Sequence, residues 1–192
     1  MNKDFKNLKL DKAYEVMGAT NEKQYLPIIN ELYGIVYKTA YKYSRVDFLG
    51  ETFCGELKSR ILSINDFTET MIGFNKVEEG FKTLDWYKDH MPNYKVYFWF
   101  AFKEGLYSWE LNRNNYILNG GDKQKKIGGT TKRGWKDFKC HLYIKKEHLV
   151  KINNTPVWIH PLVLENSNFK SSIPEGVCWL KIPPLKKVEA KF

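Results

Sequence analysis

The chain has 192 residues, 43% hydrophobic and 16% aromatic, enough for one sizeable packed core and unlike the composition of disordered segments. Its formal net charge of +9 is divided unevenly: residues 1–112 hold 15 Lys/Arg against 16 Asp/Glu, and residues 113–192 hold 16 against 6. There is no run of eighteen apolar residues and no apolar signal core near the N-terminus, which excludes a spanning helix and predicts a cytoplasmic or nuclear protein rather than a secreted one.

Residues 1–17 are mixed in character and read as a short helix or an arm, ended by Gly18. Residues 20–33 have helical apolar spacing at Leu26, Ile29 and Tyr33. Pro27 falls inside that stretch, and proline within a helix costs roughly 3 kcal/mol, so the helix is expected to begin near Leu26 or to kink there. Three strands come next. Residues 35–42 are rich in β-branched and aromatic side chains, residues 45–49 are short and apolar around Asp47, and residues 52–59 come after Gly50-Glu51, a two-residue link that reads as a hairpin turn. Asp66 with Glu69 three residues on matches a capping box, and Phe74, Val77, Phe81 and Leu84 give a helical stripe running toward Lys88.

Residues 94–102 are almost continuously apolar and aromatic, as a strand buried on both faces should be. A turn at Lys103-Glu104-Gly105 leads into a further strand over 106–111. Residues 119–137 are rich in glycine and lysine, 140–144 read as a strand, and 145–151 as a helical turn or more. The tail from Asn153 carries five prolines together with Trp158 and Trp179; it reads as ordered but irregular, covering a sheet edge. With no internal repeat, the expectation is one α/β domain over residues 1–151, including a basic hairpin segment at 113–144, and an irregular extension over 152–192 packed on that core.

Cys54, Cys140 and Cys178 are odd in number and lack a CxxC pair, which argues against a disulfide framework or a zinc site and for free thiols. His90, His141, His148 and His160 form no close ligand pair.

The segment that carries chemistry runs from Val46 to Lys58. Strand side chains alternate with period two, so Glu56 and Lys58 share one face while Leu57 points the other way. The hairpin folds Asp47 back toward that strand, and two carboxylates and one amine converge. Phosphodiester cleavage needs this combination. Mg²⁺ is a hard ion that takes oxygen ligands, which Asp47, Glu56 and the Leu57 backbone carbonyl can supply, and Mn²⁺ is expected to substitute. The metal polarises the phosphate and lowers the pKa of a bound water. Lys58, with two carboxylates beside it, suits charge stabilisation better than a general-base role.

The segment and its context resemble the PD-(D/E)XK nuclease superfamily over residues 18–112, with Val46 where the family's proline stands. The resemblance implies a restriction endonuclease-like core, a central mixed sheet flanked by helices, here with a basic β-rich C-terminal extension. It implies a magnesium-dependent deoxyribonuclease, endonuclease rather than exonuclease, in which Asp47, Glu56 and Lys58 bind metal and activate water. Gly18-x-x-x-Glu22-Lys23 is similar to the opening of the first helix in resolvase-like members, where the glutamate joins the metal site. Glu22 is the candidate, with Glu31 the alternative should the helix start at Pro27. The helix after the motif often supplies a basic or amide group in this family, and Lys76, with Asn75, is the candidate. Ser59 and Arg60 continue the same strand toward phosphate. The resemblance allows a homodimer.

Residues 123–139 contain seven basic residues and one acid, Asp137, interleaved with Gly128, Gly129 and Gly134. Lys125, Lys126, Lys132 and Arg133 are candidate phosphate contacts, and Trp135 a candidate stacking residue. DNA is expected over RNA, and no membrane. The alternative reading is a nuclease-fold protein without turnover that acts as a nucleic-acid-binding or structural module.

Overall fold

The computed structural model describes residues 3–39, 46–121, 125–130 and 136–166, with side chains described over 9–39, 46–121 and 140–165. In chain order the elements are α1 (Lys3–Tyr33), β1 (Val36–Lys38), β2 (Phe48–Gly50), β3 (Phe53–Ser59), β4 (Glu69–Gly73), α2 (Phe74–Tyr87), β5 (Lys95–Phe102), β6 (Gly105–Glu110), α3 (Arg113–Leu118), β7 (Lys125–Thr130), β8 (Lys136–Lys145), β9 (Val150–Asn153) and α4 (Pro161–Asn166). The protein is α/β with a mixed central sheet, and no described helix is long and apolar enough to cross a membrane.

The helix α1 is uninterrupted, which corrects the expected break at Gly18 and the expected start near Leu26. Its buried positions Ala13, Met17, Asn21, Tyr25 and Ile29 recur every four residues, so one stripe stays buried through both supposed breakers. Pro27 lies on the exposed side, between the fully buried Tyr25 and Ile29, and their packing offsets the hydrogen bond that proline cannot donate. The helix stops at Gly34, whose φ of 99° suits glycine and whose N–H donates to the Asn30 carbonyl at 3.1 Å. Asn21 is a core residue by virtue of its partners. Its amide donates to the Met17 and Trp158 carbonyls at 2.9 and 2.8 Å and accepts from the Trp158 N–H at 2.8 Å, fastening residues 155–159 along α1.

The central sheet has the order β1-β2-β3-β5-β6-β9. Strands β3 and β5 are parallel, joined by the excursion that contains α2, and all other neighbours are antiparallel. Val96, Phe98, Phe100 and Phe102 of β5 belong to one core layer with Cys54, Val77, Leu142 and Ile144. Trp99 and Ala101 belong to the opposite layer with Phe48, Phe53, Leu57 and the buried stripe of α1. Burial on both faces is what the apolar run over residues 96–102 of β5 encodes. Residues 150–153 add β9 to the β6 edge, with Lys151 opposite Tyr107, so the helical turn expected over 145–151 is limited to Lys146–His148.

A second sheet, ordered β4-β8-β7, packs over α2 and the first core layer. Its first strand corrects the reading of Asp66 and Glu69. The capping box is real but lies earlier, at Ser63, whose hydroxyl accepts from the Asn65 N–H at 3.1 Å while the Asp66 carboxylate accepts from the Ser63 N–H at 2.9 Å. It caps a single turn over Ile64–Asp66, not the helix. Glu69 then opens β4, in which Thr70 and Ile72 are buried and Met71 is exposed, a period of two that binds the segment to β8. Within the glycine- and lysine-rich stretch, residues 125–130 form a strand, and β8 begins at Lys136, ahead of the expected residue 140.

Candidate functional site

The site sits where β2, β3 and the start of α2 meet. In the β2–β3 hairpin Phe48 pairs with Gly55, and the Asp47 N–H donates to the Gly55 carbonyl at 3.0 Å, which sets Asp47 beside Glu56. The Leu57 N–H then donates to Asp47 Oδ2 at 2.8 Å, so the side chain of Asp47 takes over where β2 has no further strand backbone to offer. Gly55, one residue before the glutamate, packs directly on the Trp99 ring and the Tyr97 carbonyl, and a Cβ there has no room. That close approach holds β3 tightly against β5 and fixes the height of Glu56.

Glu56 is only 3% exposed, which is unusual for a carboxylate and requires partners. Lys58, two residues along the same face, donates to Glu56 Oε1. Lys76, in the first turn of α2, reaches the other oxygen, with Nζ 2.6 Å from Oε2, an ion pair without hydrogen-bond alignment. Both lysines keep part of their side chains open, 33% for Lys58 and 24% for Lys76. The cluster is therefore a buried acid roofed by two accessible cations. Asp47 is pushed up to about 6, first by loss of solvent and then by the charge of Glu56; the Leu57 N–H and Lys58 pull it back, and Glu22 adds the smallest push.

Of the residues singled out from the sequence, Asp47, Glu56, Lys58 and Lys76 come together. Leu57 turns its side chain into the α1 layer, and its N–H is tied to Asp47. Glu22 is engaged elsewhere: its carboxylate pairs with Lys38 of β1 at 2.7 Å, and Asp47 feels it only as the weakest of the charges acting on it. Lys38 was not singled out from the sequence, and only the β1–β2 register reveals it. Arg60, expected near phosphate, is tied into the fold. Its guanidinium donates to the Met71 carbonyl and to Thr70 Oγ1 (3.3 Å) and lies 5.6 Å from the centre of the Phe100 ring. Lys125 and Lys126 lie in β7. Lys132, Arg133 and Trp135 lie outside the described residues, as do residues 167–192.

Among the described residues no three His, Cys, Asp or Glu side chains are gathered as a metal-binding group. The two adjacent carboxylates still suit a hard divalent cation, which takes one or two carboxylates from a protein and completes its shell with water. The desolvated Asp47, facing the charge of Glu56, is the kind of group that a cation would relieve.

Compared with protein-family models, with curated proteins and with solved structures, the chain matches none.

Proposed function

We propose that the protein is a metal-dependent nuclease that hydrolyses DNA phosphodiester bonds, built on a restriction endonuclease-like core. The observation that carries the reading is the convergence of Asp47, Glu56, Lys58 and Lys76 at the junction of β2, β3 and α2. The run of elements from α1 through the three strands to α2 and β5, with β3 and β5 parallel, supports it. So does the basic second half of the chain, which suits a polyanionic substrate.

In this reading Asp47 and Glu56 hold Mg²⁺ or Mn²⁺, which when bound polarises the phosphate and makes a bound water a better nucleophile. The chain's own residues do the rest. Lys58 and Lys76 stand at the site with side chains partly open to solvent, and in this reading they offset negative charge that grows on a phosphate oxygen. Gly55 and Trp99 keep Glu56 at a fixed height on β3. The Leu57 N–H fixes the rotamer of Asp47 and leaves its other oxygen for a ligand.

A second reading rests on one observation: both Glu56 oxygens already face ammonium groups, so the cluster is also self-sufficient as a buried ion network. That is the expectation for a nuclease-fold protein without turnover, serving as a nucleic-acid-binding or structural module. The two are separated by incubating purified protein with supercoiled plasmid and with short linear substrates in Mg²⁺, Mn²⁺ or EDTA. Nicking that needs metal and disappears in Glu56→Gln supports the nuclease. Absence of nicking in either metal, with nucleic-acid binding retained, supports the second reading.

A further inference from the structure

The second sheet has an unusual outline. Strand β8 runs for ten residues, Lys136–Lys145, but its two neighbours lie on opposite sides and divide its length. Strand β4 pairs with residues 141–145, and β7 pairs with residues 136–141, so among the described residues only His141 has a partner on each side. Among the described residues the sheet beyond His141 narrows to a two-stranded ribbon made of β7 and residues 136–140. Five residues of strand span about 17 Å.

The ribbon begins beside the candidate site. The last β4 pair is Gly73 with His141, and Gly73 leads directly into α2, whose third residue, Lys76, stands on Glu56. The ribbon therefore extends past β4 from the corner of the molecule that holds Asp47, Glu56 and the two lysines.

Its sequence is that of a charged, thin arm. The two strand segments hold Lys125, Lys126, Lys136 and Lys139 against one acid, Asp137. Pairing and pleat put the positions of Lys125 and Lys139 on one face, and those of Lys126 and Lys136 on the other. Basic positions on both faces suit a ligand that surrounds the ribbon, as the two phosphate strands of a duplex surround a groove. A flat anionic surface such as a membrane would meet only one face. At the middle of the ribbon Gly128 and Gly129 stand opposite Phe138 and Asp137, so one strand carries no side chains there and the ribbon is thin. Glycine inside a strand marks a place where another backbone or a ligand comes close. A two-stranded ribbon is one of the two elements that the major groove of B-form DNA, about 12 Å wide, admits.

We infer that the β7–β8 ribbon is an arm that enters a groove of duplex nucleic acid and holds the duplex against the Asp47–Glu56 corner, so that the substrate class is double-stranded. The inference rests on the nuclease reading for the cleavage step alone; binding of the duplex stands independently of it.

The test uses the full chain in EDTA, where cleavage plays no part. Three probes are used: a 24-base-pair mixed-sequence DNA duplex, one of its strands alone, and vesicles containing phosphatidylserine. The expected result is that the duplex binds at least tenfold more tightly than the single strand, with weak vesicle binding. Replacing Lys125, Lys126, Lys136 and Lys139 together by Gln should lower duplex affinity by about 100-fold or more at moderate salt. Each lost phosphate contact should flatten the slope of log K against log salt by about 0.9. A lowering can also come from misfolding, so Asp137→Lys is the companion variant. It adds a charge to the ribbon and should tighten duplex binding several-fold, a gain that a damaged fold does not produce. The inference is overturned if the single strand binds as well as the duplex, if vesicles bind and the duplex does not, or if both variants bind duplex as the parent does. Failure of the nuclease reading looks different: the duplex is bound through the ribbon, and neither Mg²⁺ nor Mn²⁺ brings cleavage.

Discussion

In the central sheet Glu56 is 3% exposed with two lysines closing over it, whereas in the second sheet four lysines are strung along a ribbon that outruns its β4 neighbour. The same residue type serves two purposes. Lys58 and Lys76 are each paired with a buried carboxylate oxygen, which holds them in one place, as chemistry requires. A charge that only has to find a phosphate needs no fixed position and works through number and reach. If the contrast is sound, substitutions at the corner should change turnover and stability together, and substitutions on the ribbon should change affinity alone.

The largest expected effect comes from removing a carboxylate at the corner. Glu56→Gln and Asp47→Asn each keep the volume and delete a charged ligand, and metal-dependent nicking should fall by about 10³-fold or to background. Duplex affinity in EDTA should change by less than about threefold, because binding relies on the ribbon. Glu56→Gln should also lower the melting temperature. Breaking a buried ion pair costs up to about 3–5 kcal/mol, but both lysines can swing outward, which places the loss nearer 1–2 kcal/mol. Nicking by Glu56→Gln at the parent rate would break the comparison at its centre.

A second effect tests how the corner is held. Gly55→Val places a branched side chain where the Trp99 ring and the Tyr97 carbonyl already stand. Overpacking of this kind costs about 1–3 kcal/mol, and here it must also push β3 away from β5. Thermal unfolding should shift down by about 2–12 °C for a domain of this size, and nicking should fall even at temperatures where the variant stays folded. Gly18→Ala is the control. A Cβ added at Gly18 meets no described atom within 4 Å outside its own helix backbone, and a helix interior favours alanine, so stability should rise slightly.

The third prediction concerns pH. Asp47 titrates at about 6 when folded, above the ordinary carboxylate value, so between about pH 4 and pH 6 the folded state holds a proton that the unfolded chain has released. Asp47 therefore makes stability fall as pH rises through that window, and above it the charged Asp47 is a standing cost. Asp47→Asn should raise the melting temperature by about 2–6 °C at pH 7.5 and leave it unchanged at pH 4. Added Mg²⁺ or Mn²⁺ should narrow the difference at pH 7.5 by stabilising the parent, about 1.4 kcal/mol at ten times its dissociation constant. An equal gain at both pH values would show that Asp47 is not strained by its surroundings.

Much of this corner is legible in the sequence because local rules determine it. Alternation puts Glu56 and Lys58 on one face, the short link after β2 brings Asp47 back, and the almost continuous apolar run over 94–102 announces a strand buried on both sides. The misses have particular causes. Pro27 and Gly18 look like breakers, but the four-residue stripe from Ala13 to Ile29 is anchored by tertiary packing that no local propensity records. Asp66 and Glu69 imitate a capping box, and only the pairing of Ile72 with Leu142, about seventy residues away, shows that the segment is a strand. Asn21 looks like a surface residue until Trp158 meets it. Lys38 could not be read at all, because its role depends on which strand lies next to α1.

The smallest expected effect decides how far the corner extends. Glu22 is paired with Lys38, and it is the weakest of the charges that raise Asp47, behind Glu56. Lys38 is 44% exposed, so the pair itself is worth no more than about 1 kcal/mol, and Lys38→Ala should hardly move the melting temperature. The informative readout is the Asp47 carboxyl followed by carbon-13 NMR during titration. Glu22→Gln removes one like charge and should move the Asp47 midpoint downward slightly. Glu56→Gln removes the nearer charge and should move it downward further. Lys38→Ala removes the cation that masks Glu22 and should move it upward. That order of two falls and one rise requires Glu22 to share an electrostatic field with Asp47. If Asp47 ignores both Glu22→Gln and Lys38→Ala, the first helix serves the sheet as packing alone, and the site ends at β2, β3 and α2.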